Sequence, residues 1–282
     1  MHWQQLSMDE FAQYRRGEWM KLVKIDGIWW AEVRPCFYRP LHPFREIHPW
    51  SKRYPIKAFL GGFLHAVPPD VKASTYINFH VYDNLPAYSL ELLTSNKRRL
   101  TRRALERFQV NPILDPEEFV ESGYDIYKEF FSRTNYWYKR DRILKDNFKA
   151  WVANLFAFPK ISKNGFYLDG KLVAIETSFR VENVIYADNL FSDNMSLKAN
   201  VVDFVQHTLR ESASRTEAKY LFIGLPTGKQ SLDSSKLEKG CKVLTIPSYC
   251  KINPFALCAS KYIMRDSYNK LLHTVGRESP SE

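Results

Sequence analysis

The segment from Lys160 to Lys242 constrains the fold of this 282-residue chain more than any other, because turn signals and apolar runs alternate along it. Asp169-Gly170 and Glu182-Asn183 each stand between two runs that are rich in β-branched and aromatic residues. Asp-Gly in such a position is typical of a tight β-hairpin turn. The segment therefore predicts three consecutive strands, Gly165–Leu168, Leu172–Val181 and Val184–Phe191.

The same segment continues with a helix, a strand and a second helix. Apolar residues recur at helical spacing from Leu197 to Ser214, the short apolar run Tyr220–Gly224 follows, and the next helical pattern is rich in lysine. A helix between two strands predicts a crossover connection on one sheet. The sequence thus indicates an α+β (mixed α/β) fold, in which a mixed sheet is flanked by helices.

The residues before Lys160 divide into a β-rich part and a helical part. Ile28–Tyr38, Ser74–Tyr82 and Tyr88–Leu93 predict strands. The spacing of apolar residues then predicts three helices, Asn96–Phe108, Pro116–Arg133 and Arg142–Phe156. We expect a β-rich N-terminal half over residues 1–84, a second domain over residues 85–275 and a flexible tail over residues 276–282.

The chain has a net charge of +10, with 41 lysines and arginines against 31 acidic residues. This sign favours an anionic substrate or partner: a nucleotide-linked molecule, a nucleic acid or an acidic membrane surface. No run of about 18 uncharged apolar residues is present, so we expect no transmembrane segment. The N-terminus lacks the basic and apolar regions of a secretory signal, which predicts a cytoplasmic protein.

The cysteine and histidine pattern gives no sign of a metal site. Four cysteines are spread along the chain without a C-x-x-C pair, and the seven histidines are not placed at zinc-ligand spacing. We therefore expect free thiols in a reducing compartment and no bound metal. The sequence leaves open that the fold brings a cysteine and a histidine together as a catalytic pair.

The densest cationic cluster lies on the predicted helix Asn96–Phe108. Arg99, Arg102 and Arg103 share one face at helical spacing, and Arg98 flanks them. Like charges in this arrangement repel one another, and a phosphate-bearing ligand would offset the repulsion, since guanidinium groups bind phosphate oxygens in bidentate fashion. The alternative is a solvated helix face that aids solubility.

Two single residues are candidates for proton transfer. Asp188, on the predicted strand Val184–Phe191, would be a general base if it points into a cleft, and otherwise a surface carboxylate that forms an Asx turn with Asn189. Tyr249 would be a general acid for a departing group, and otherwise a packed aromatic residue with its hydroxyl at the rim.

Two loops are candidates for anion binding. The turn Ser192–Ser196 contains no glycine, yet the backbone amides near Ser196 and Lys198 could hold an anion at the start of the following helix. The loop Gly224–Ser231 is similar to a phosphate-binding P-loop, but the spacing of its glycines and of its lysine and hydroxyl differs from that motif. A strand-to-helix turn or an acceptor-binding loop is therefore favoured over a nucleotide hydrolase.

A family resemblance follows from these segments. The basic run Ser95-Asn96-Lys97-Arg98-Arg99, the turn Asp169-Gly170 with Lys171–Ala174, the helix from Leu197 and the segment Ser231–Gly240 occur in the order found in GNAT-fold acyltransferases. The chain from about Leu85 to Pro254 resembles that superfamily, and within it the FemAB-like and CelD-like branch. The resemblance implies a GNAT-like sheet, and it leaves open that residues 1–84 form a first, divergent GNAT-like half.

The resemblance implies transfer of an acyl or aminoacyl group from an acyl-CoA or an aminoacyl-tRNA to an amine or hydroxyl acceptor, with no further cofactor. Arg98, Arg99, Arg102 and Arg103 would hold phosphates, and Asp188 or a water would take the proton of the amine. The glycine-free turn Ser192–Ser196 favours a charged tRNA over acetyl-CoA as the donor. The alternative is a degenerate transferase fold that binds RNA or another polyanion.

Overall fold

The secondary structure is that of an α+β protein. The computed structural model describes residues 1–134, 137–227, 230–263 and 275–276. Its strands are β1 (Gln5–Leu6), β2 (Leu22–Ile25), β3 (Ile28–Arg34), β4 (Phe37–Pro40), β5 (Gly62–Ala66), β6 (Thr75–Tyr82), β7 (Phe108–Pro112), β8 (Ser162–Leu168), β9 (Lys171–Val181), β10 (Val184–Ser192), β11 (Tyr220–Gly224), β12 (Lys242–Ile252) and β13 (Val275–Gly276). The α-helices are α1 (Met8–Gly17), α2 (Ser95–Leu105), α3 (Pro116–Thr134), α4 (Lys145–Phe156), α5 (Asn194–Lys198), α6 (Val201–Ala213), α7 (Gln230–Glu238) and α8 (Pro254–Ile263).

These elements belong to two units, each assembled from separate stretches of the chain. Unit 1 comprises Met1–Ser7, Tyr82–Ile223 and Glu238–Cys241, and unit 2 comprises Met8–Val81, Gly224–Leu237 and Lys242–Glu282. The predicted domain boundary between residues 84 and 85 stays a prediction. The predicted tail over residues 276–282 lies outside the described residues, except for Gly276.

The sheet of unit 1 contains the three strands predicted from the turn signals. Its strand order is β11-β10-β9-β8-β7, and β1 adds to β9 beyond the end of β8. The β7–β8, β8–β9 and β9–β10 pairs are antiparallel, whereas β10 and β11 run parallel. A parallel pair requires a crossover connection, which α6 provides. The predicted mixed sheet flanked by helices is therefore confirmed.

Helices cover both faces of the unit 1 sheet, because successive residues of a strand point to opposite faces. On β9, Ala174 packs in a core cluster with Phe204, Val205 and Leu209 of α6. The next residue, Ile175, contacts α3 so closely that a Cβ added to Gly123 would lie 2.7 Å from its Cδ1 atom. Both faces of this part of β9 are therefore buried, which explains its nearly continuous apolar run.

The helix predicted from Leu197 to Ser214 is wrong at its start. The last three residues of the glycine-free turn belong to the short helix α5, which Asp193 caps by accepting a hydrogen bond from the amide of Ser196 at 2.7 Å. Asn200 then adopts a left-handed backbone conformation with φ of 69° and separates α5 from α6. Asparagine tolerates this conformation better than most residues, so the break is encoded locally.

Two other predicted elements differ in the structure of unit 1. The predicted strand Tyr88–Leu93 is irregular and contains a short 3₁₀ helix at Leu90–Leu92. The predicted helix Asn96–Phe108 ends at Leu105, because Phe108 begins β7 and pairs with Leu168 of β8. Tertiary pairing here overrides the local helical spacing.

In unit 2 the strand order is β2-β3-β4-β5-β12-β6, and β13 pairs with β6. The β4–β5 pair is parallel and the pairs β2–β3, β3–β4, β5–β12 and β12–β6 are antiparallel. The predicted strand Ile28–Tyr38 is two strands, since Cys36 turns the chain with φ of 59°. A Cβ added to Gly61 would lie 2.4 Å from the carbonyl oxygen of Cys36, so this close approach requires glycine.

Candidate functional site

Asp188 lies at an irregularity in the unit 1 sheet. The pairing register of β10 with β9 shifts between Ala187 and Asn189, which leaves Asp188 as the extra residue of a β-bulge. Bulges are frequent at sites where a side chain must be re-aimed. Asp188 is half-buried, and its Oδ2 atom accepts a hydrogen bond of 2.9 Å from the side-chain amide of Asn189.

The amide of Asn189 is itself fixed from two other sides. Its Nδ2 atom also donates to Oγ1 of Thr177 at 3.0 Å, and its Oδ1 atom accepts from Nη1 of Arg142 at 3.1 Å. The guanidinium of Arg142 lies over the ring of Trp151, 4.1 Å from its centroid. The bulge therefore holds the carboxylate of Asp188 against an oriented amide rather than free in solvent.

The carboxyl group of Glu176, on the neighbouring strand β9, is fully buried. Its Oε2 atom accepts a hydrogen bond of 2.8 Å from Nδ2 of Asn164, and its Oε1 atom has no hydrogen-bond partner among the described residues. Burial raises the pKa of Glu176 to about 7, the Asn164 and Ser178 side chains oppose this rise, and the charge of Asp188 adds to it. Near neutral pH, Glu176 is thus divided between its protonated and ionised forms.

The N-terminal segment lies near this buried carboxyl. Trp3 is buried and donates from Nε1 to Oγ of Ser178 at 2.8 Å, two residues along the same face of β9 as Glu176. The charge of the N-terminal amine lowers the pKa of Glu176. Sequence reasoning missed Glu176, and the available signal was a single acidic residue within the apolar run Leu172–Val181.

Tyr249, the second predicted proton-transfer residue, belongs to unit 2. It lies on β12, half-buried, with its ring 6.0 Å from Phe63, 5.9 Å from His65 and 5.8 Å from Trp50 between centroids. Its hydroxyl makes no hydrogen bond to any described residue. These contacts fit the alternative interpretation, a packed aromatic residue, and the role of general acid stays a prediction.

The predicted arginine cluster lies on α2 in unit 1 and lines an open surface depression of about 410 Å³. Arg98 and Arg102 both pair with the carboxylate of Glu91, at 2.5 and 2.9 Å. Arg99 donates to the neutral side chain of Asn96 at 3.0 Å, and Arg103 makes no hydrogen bond or ion pair to a described residue. The cluster therefore divides into two neutralised arginines and two, Arg99 and Arg103, that have no acidic partner.

The predicted anion site at the start of the next helix is occupied by the chain itself. Ser196 is fully buried, its amide is bound by Asp193, and its hydroxyl donates to the carbonyl of Val173 at 3.3 Å. Lys198 is exposed. An anion could use the Ser196 amide only by displacing the Asp193 carboxylate, whereas the Lys198 ammonium is accessible.

Metal and thiol chemistry have little support in the described part of the chain. No three metal-ligating side chains cluster among the described residues. All four cysteines are free, and burial raises the pKa of Cys250 to about 12, which disfavours its thiolate. In the loop Gly224–Ser231, residues 228 and 229 lie outside the described residues. Within the described helices, none combines the length and apolar character needed to cross a bilayer.

Comparison with known proteins relates the chain to others by fold alone. No family model and no curated protein sequence matches it. Among solved structures, the C-terminal domain of a lysylphosphatidylglycerol synthetase from Agrobacterium fabrum matches with a TM-score of 0.58 and 11% identity, over 91% of this chain and 90% of that one. The L-PGS of Bacillus licheniformis matches with a TM-score of 0.53 and 10% identity, over 90% and 89%.

FemX also matches, with a TM-score of 0.48 and 11% identity, over 66% of this chain and 63% of its own. An N-acetyltransferase from Thermoplasma acidophilum and a tandem GNAT protein are among the other matches. The predicted mixed α/β fold is shared with the two structures whose TM-scores exceed 0.5. The low identities assign no activity, so the chemistry of this chain must be argued from its own residues.

Proposed function

We propose that this protein is an acyltransferase. It moves an acyl or aminoacyl group from an activated donor, an acyl-CoA or an aminoacyl-tRNA, to an amine or hydroxyl acceptor. The buried carboxyl of Glu176 beside the Asp188 bulge carries the proposal, because its pKa of about 7 suits proton transfer at neutral pH. The fold shared with a protein named as a lysylphosphatidylglycerol synthetase and with one named L-PGS supports the same class of reaction.

In this reaction the acceptor nitrogen or oxygen attacks the carbonyl carbon of the donor. The bond from that carbon to the sulfur or oxygen of the leaving group breaks, and the acceptor loses one proton. Asp188, which is half-buried, is the carboxylate that meets the acceptor, and Glu176 is fully buried on the neighbouring strand β9. Asp188 takes that proton, and because the charge of Asp188 raises the pKa of Glu176, the protonation of one carboxyl depends on the charge of the other. The proton then returns to the leaving thiolate or alkoxide.

The arginine side of α2 would bind phosphate groups of the donor. Arg99 and Arg103 are the stronger candidates, since Glu91 already neutralises Arg98 and Arg102. Arg99 and Arg103 lie four residues apart, on the same face of the helix. Lys198 offers a further exposed cation near the start of α6. Tyr249, on β12 of unit 2, is the candidate general acid for the leaving group.

The test is a product assay with the full chain. The protein is incubated with a panel of acyl-CoAs or aminoacyl-tRNAs and with amine and hydroxyl acceptors, and products are identified by mass spectrometry. Asp188→Asn and Glu176→Gln should each lower turnover by about a hundredfold or more, as removal of a general base does. The exposed positions Asp169 and Glu217 supply matched controls, D169N and E217Q, which should keep wild-type turnover.

Two results would overturn the proposal. One is wild-type turnover in D188N and E176Q. The other is the lack of any product over the panel, together with RNA binding that weakens steeply with salt. Salt-dependent binding without chemistry would instead identify the protein as a polyanion-binding module.

A further inference from the structure

One short segment of unit 2 exposes several large apolar side chains. In the segment from Trp50 to Leu60, here called the 50–60 loop, Trp50 and Ile56 are each 85% exposed, Phe59 is 61% exposed and Leu60 is 65% exposed. Scattered apolar residues are ordinary on protein surfaces, but four within eleven positions form a patch. Exposed apolar side chains at this density indicate a surface that binds a partner.

The 50–60 loop is well packed on its inner side. The ring of Tyr54 stacks on Phe63 of β5 with a centroid distance of 3.8 Å and an interplanar angle of 15°, and its hydroxyl donates to the carbonyl of Pro49 at 2.9 Å. Pro55 and Ala58 are buried. These residues anchor the loop to the sheet. The backbone of the loop is therefore fixed, while its outward side chains are exposed to solvent.

The start of α8 extends this surface. The side-chain amide of Asn253 donates to the carbonyl of Phe59 at 3.1 Å, and the Asn253 backbone amide donates to the carbonyl of Gly61 at 2.9 Å. Phe255 follows two residues later and is 87% exposed. The end of the 50–60 loop and the start of α8 are therefore neighbours within the same unit.

The charges of the two segments all have one sign. The 50–60 loop contains Lys52, Arg53 and Lys57, residues 251–263 contain Lys251 and Lys261, and neither segment contains an aspartate or glutamate. These five basic residues are exposed. One nearby acid is Asp26, whose carboxylate accepts a hydrogen bond from the Arg53 amide at 3.0 Å. The surface therefore combines apolar side chains with an excess of positive charge.

We propose that the 50–60 loop and the start of α8 dock this protein on an anionic membrane surface. Trp50, Ile56, Phe59 and Phe255 enter the interfacial layer of the bilayer, where tryptophan and phenylalanine are favoured. The lysines and Arg53 contact lipid phosphates, and the lack of acids in both segments complements a negative surface. The proposal stands apart from the acyltransferase activity, because none of its residues is among those proposed to act in the reaction or to bind the donor.

The test is vesicle sedimentation of the full-length chain. Vesicles of phosphatidylglycerol and phosphatidylcholine should bind the wild type at least tenfold more strongly than vesicles of phosphatidylcholine alone. A triple change of Trp50, Ile56 and Phe59 to serine (W50S/I56S/F59S) should lower partition at least tenfold, as should the charge reversals K52E/K57E. L114S and K149E change an exposed leucine and an exposed lysine of unit 1 and should bind like the wild type.

A second measurement tests whether the 50–60 loop itself enters the lipid. Tryptophan fluorescence should shift to the blue on addition of anionic vesicles, and W50F should lose most of that shift while it still sediments with the vesicles. Circular dichroism and the melting temperature identify any variant that fails to fold, and for such a variant the single change F59S replaces the triple one.

Three results would overturn the proposal. The first is a wild type that does not sediment with anionic vesicles. The second is sedimentation that the loop variants leave unchanged. The third is a concentration-dependent dimer that W50S/I56S/F59S abolishes without any vesicle binding, which would assign this surface to a second copy of the chain.

Discussion

Asn164 and Glu176 stand directly opposite each other on β8 and β9, and the amide of Asn164 donates to one carboxylate oxygen of Glu176 over 2.8 Å. This cross-strand pair provides a hydrogen bond for one of the two oxygens of a carboxyl group that is buried from water. The side chains of Asn164 and Ser178 do not keep this buried carboxylate fully ionised at neutral pH, since burial penalises the charge more than these two side chains stabilise it.

The first prediction concerns the pH dependence of stability. The pKa of Glu176 is raised in the folded protein from 4.5 to about 7, so between these values the native state keeps a proton that the unfolded state has released. The contribution of Glu176 to the stability of the folded protein is therefore fully present below about pH 4.5 and is lost as the pH rises to about 7. The loss is on the order of 3 kcal/mol in the free energy of unfolding.

Urea unfolding of the wild type and of Glu176→Gln at pH 5, 6, 7 and 8 measures this effect. The difference in stability between the two should change by a few kcal/mol in favour of the variant as the pH rises, and should level off above pH 7. E217Q alters an exposed glutamate and should keep the wild-type profile. A constant difference between wild type and E176Q at all four pH values would contradict the assignment.

A second prediction concerns the partner of this carboxyl. Asn164→Ala removes the donor and leaves Oε2 of Glu176 without its hydrogen bond, so the pKa of Glu176 should rise further. The destabilisation should be about 1 to 3 kcal/mol and should be larger at pH 8 than at pH 5, because only the ionised form needs the donor badly. The double variant N164A/E176Q should lose this pH dependence, and a cost that is equal at both pH values would argue against the pairing.

The third prediction separates the four arginines of α2. Arg99→Ala and Arg103→Ala should each weaken binding of an anionic donor and lower the salt slope of tRNA binding by about one, because each removes a cation without an acidic partner. Arg98 and Arg102 are held by Glu91, so Glu91→Gln should strengthen binding by freeing both. Filter binding at several salt concentrations measures these slopes. R107A, which lies beyond the cluster, is the matched control, and an equal slope for all variants would remove α2 from the binding surface.

The fourth prediction concerns Gly61, where the 50–60 loop returns to the sheet. In Gly61→Ala the new methyl group would stand 2.4 Å from the carbonyl oxygen of Cys36, so the backbone must shift. We expect a loss of about 1 to 3 kcal/mol in chemical unfolding, as for other overpacked sites. Gly27→Ala is the comparison, since nothing lies within 4 Å of its added methyl and its cost comes from its φ of 77° alone. A G61A protein as stable as the wild type would show that this approach is not tight.

The hairpins of unit 1 were predictable because their turns are local. Asp169-Gly170 and Glu182-Asn183 specify reversal without help from the rest of the chain, and the strands around them follow. The break between α5 and α6 is also local, but it depends on Asp193 acting as a cap and on one left-handed asparagine, which helical spacing does not reveal.

The site residues were less predictable, because their environment comes from distant segments. In the sequence, Glu176 looks like any other acidic residue in a strand. Its environment depends on Asn164, which donates to its carboxylate, and on Trp3, which bonds the nearby Ser178. Glu91 neutralises Arg98 and Arg102 only because residues 88–93 are not the extended strand that their composition favours. Asp188 was identified from its position alone, and the bulge that re-aims it is a property of strand pairing.

The position of β12 affects how this protein folds during its synthesis on the ribosome. β12 lies between β5 and β6, and the amide of Cys250 donates to Oγ of Ser74 across 176 residues of sequence. Until residue 252 has left the exit tunnel, β5 and β6 each present an unpaired backbone edge where their shared neighbour is missing. Nascent chains that stall before that point should therefore be prone to pair with one another and to need chaperones, and release of the full strand should end that need.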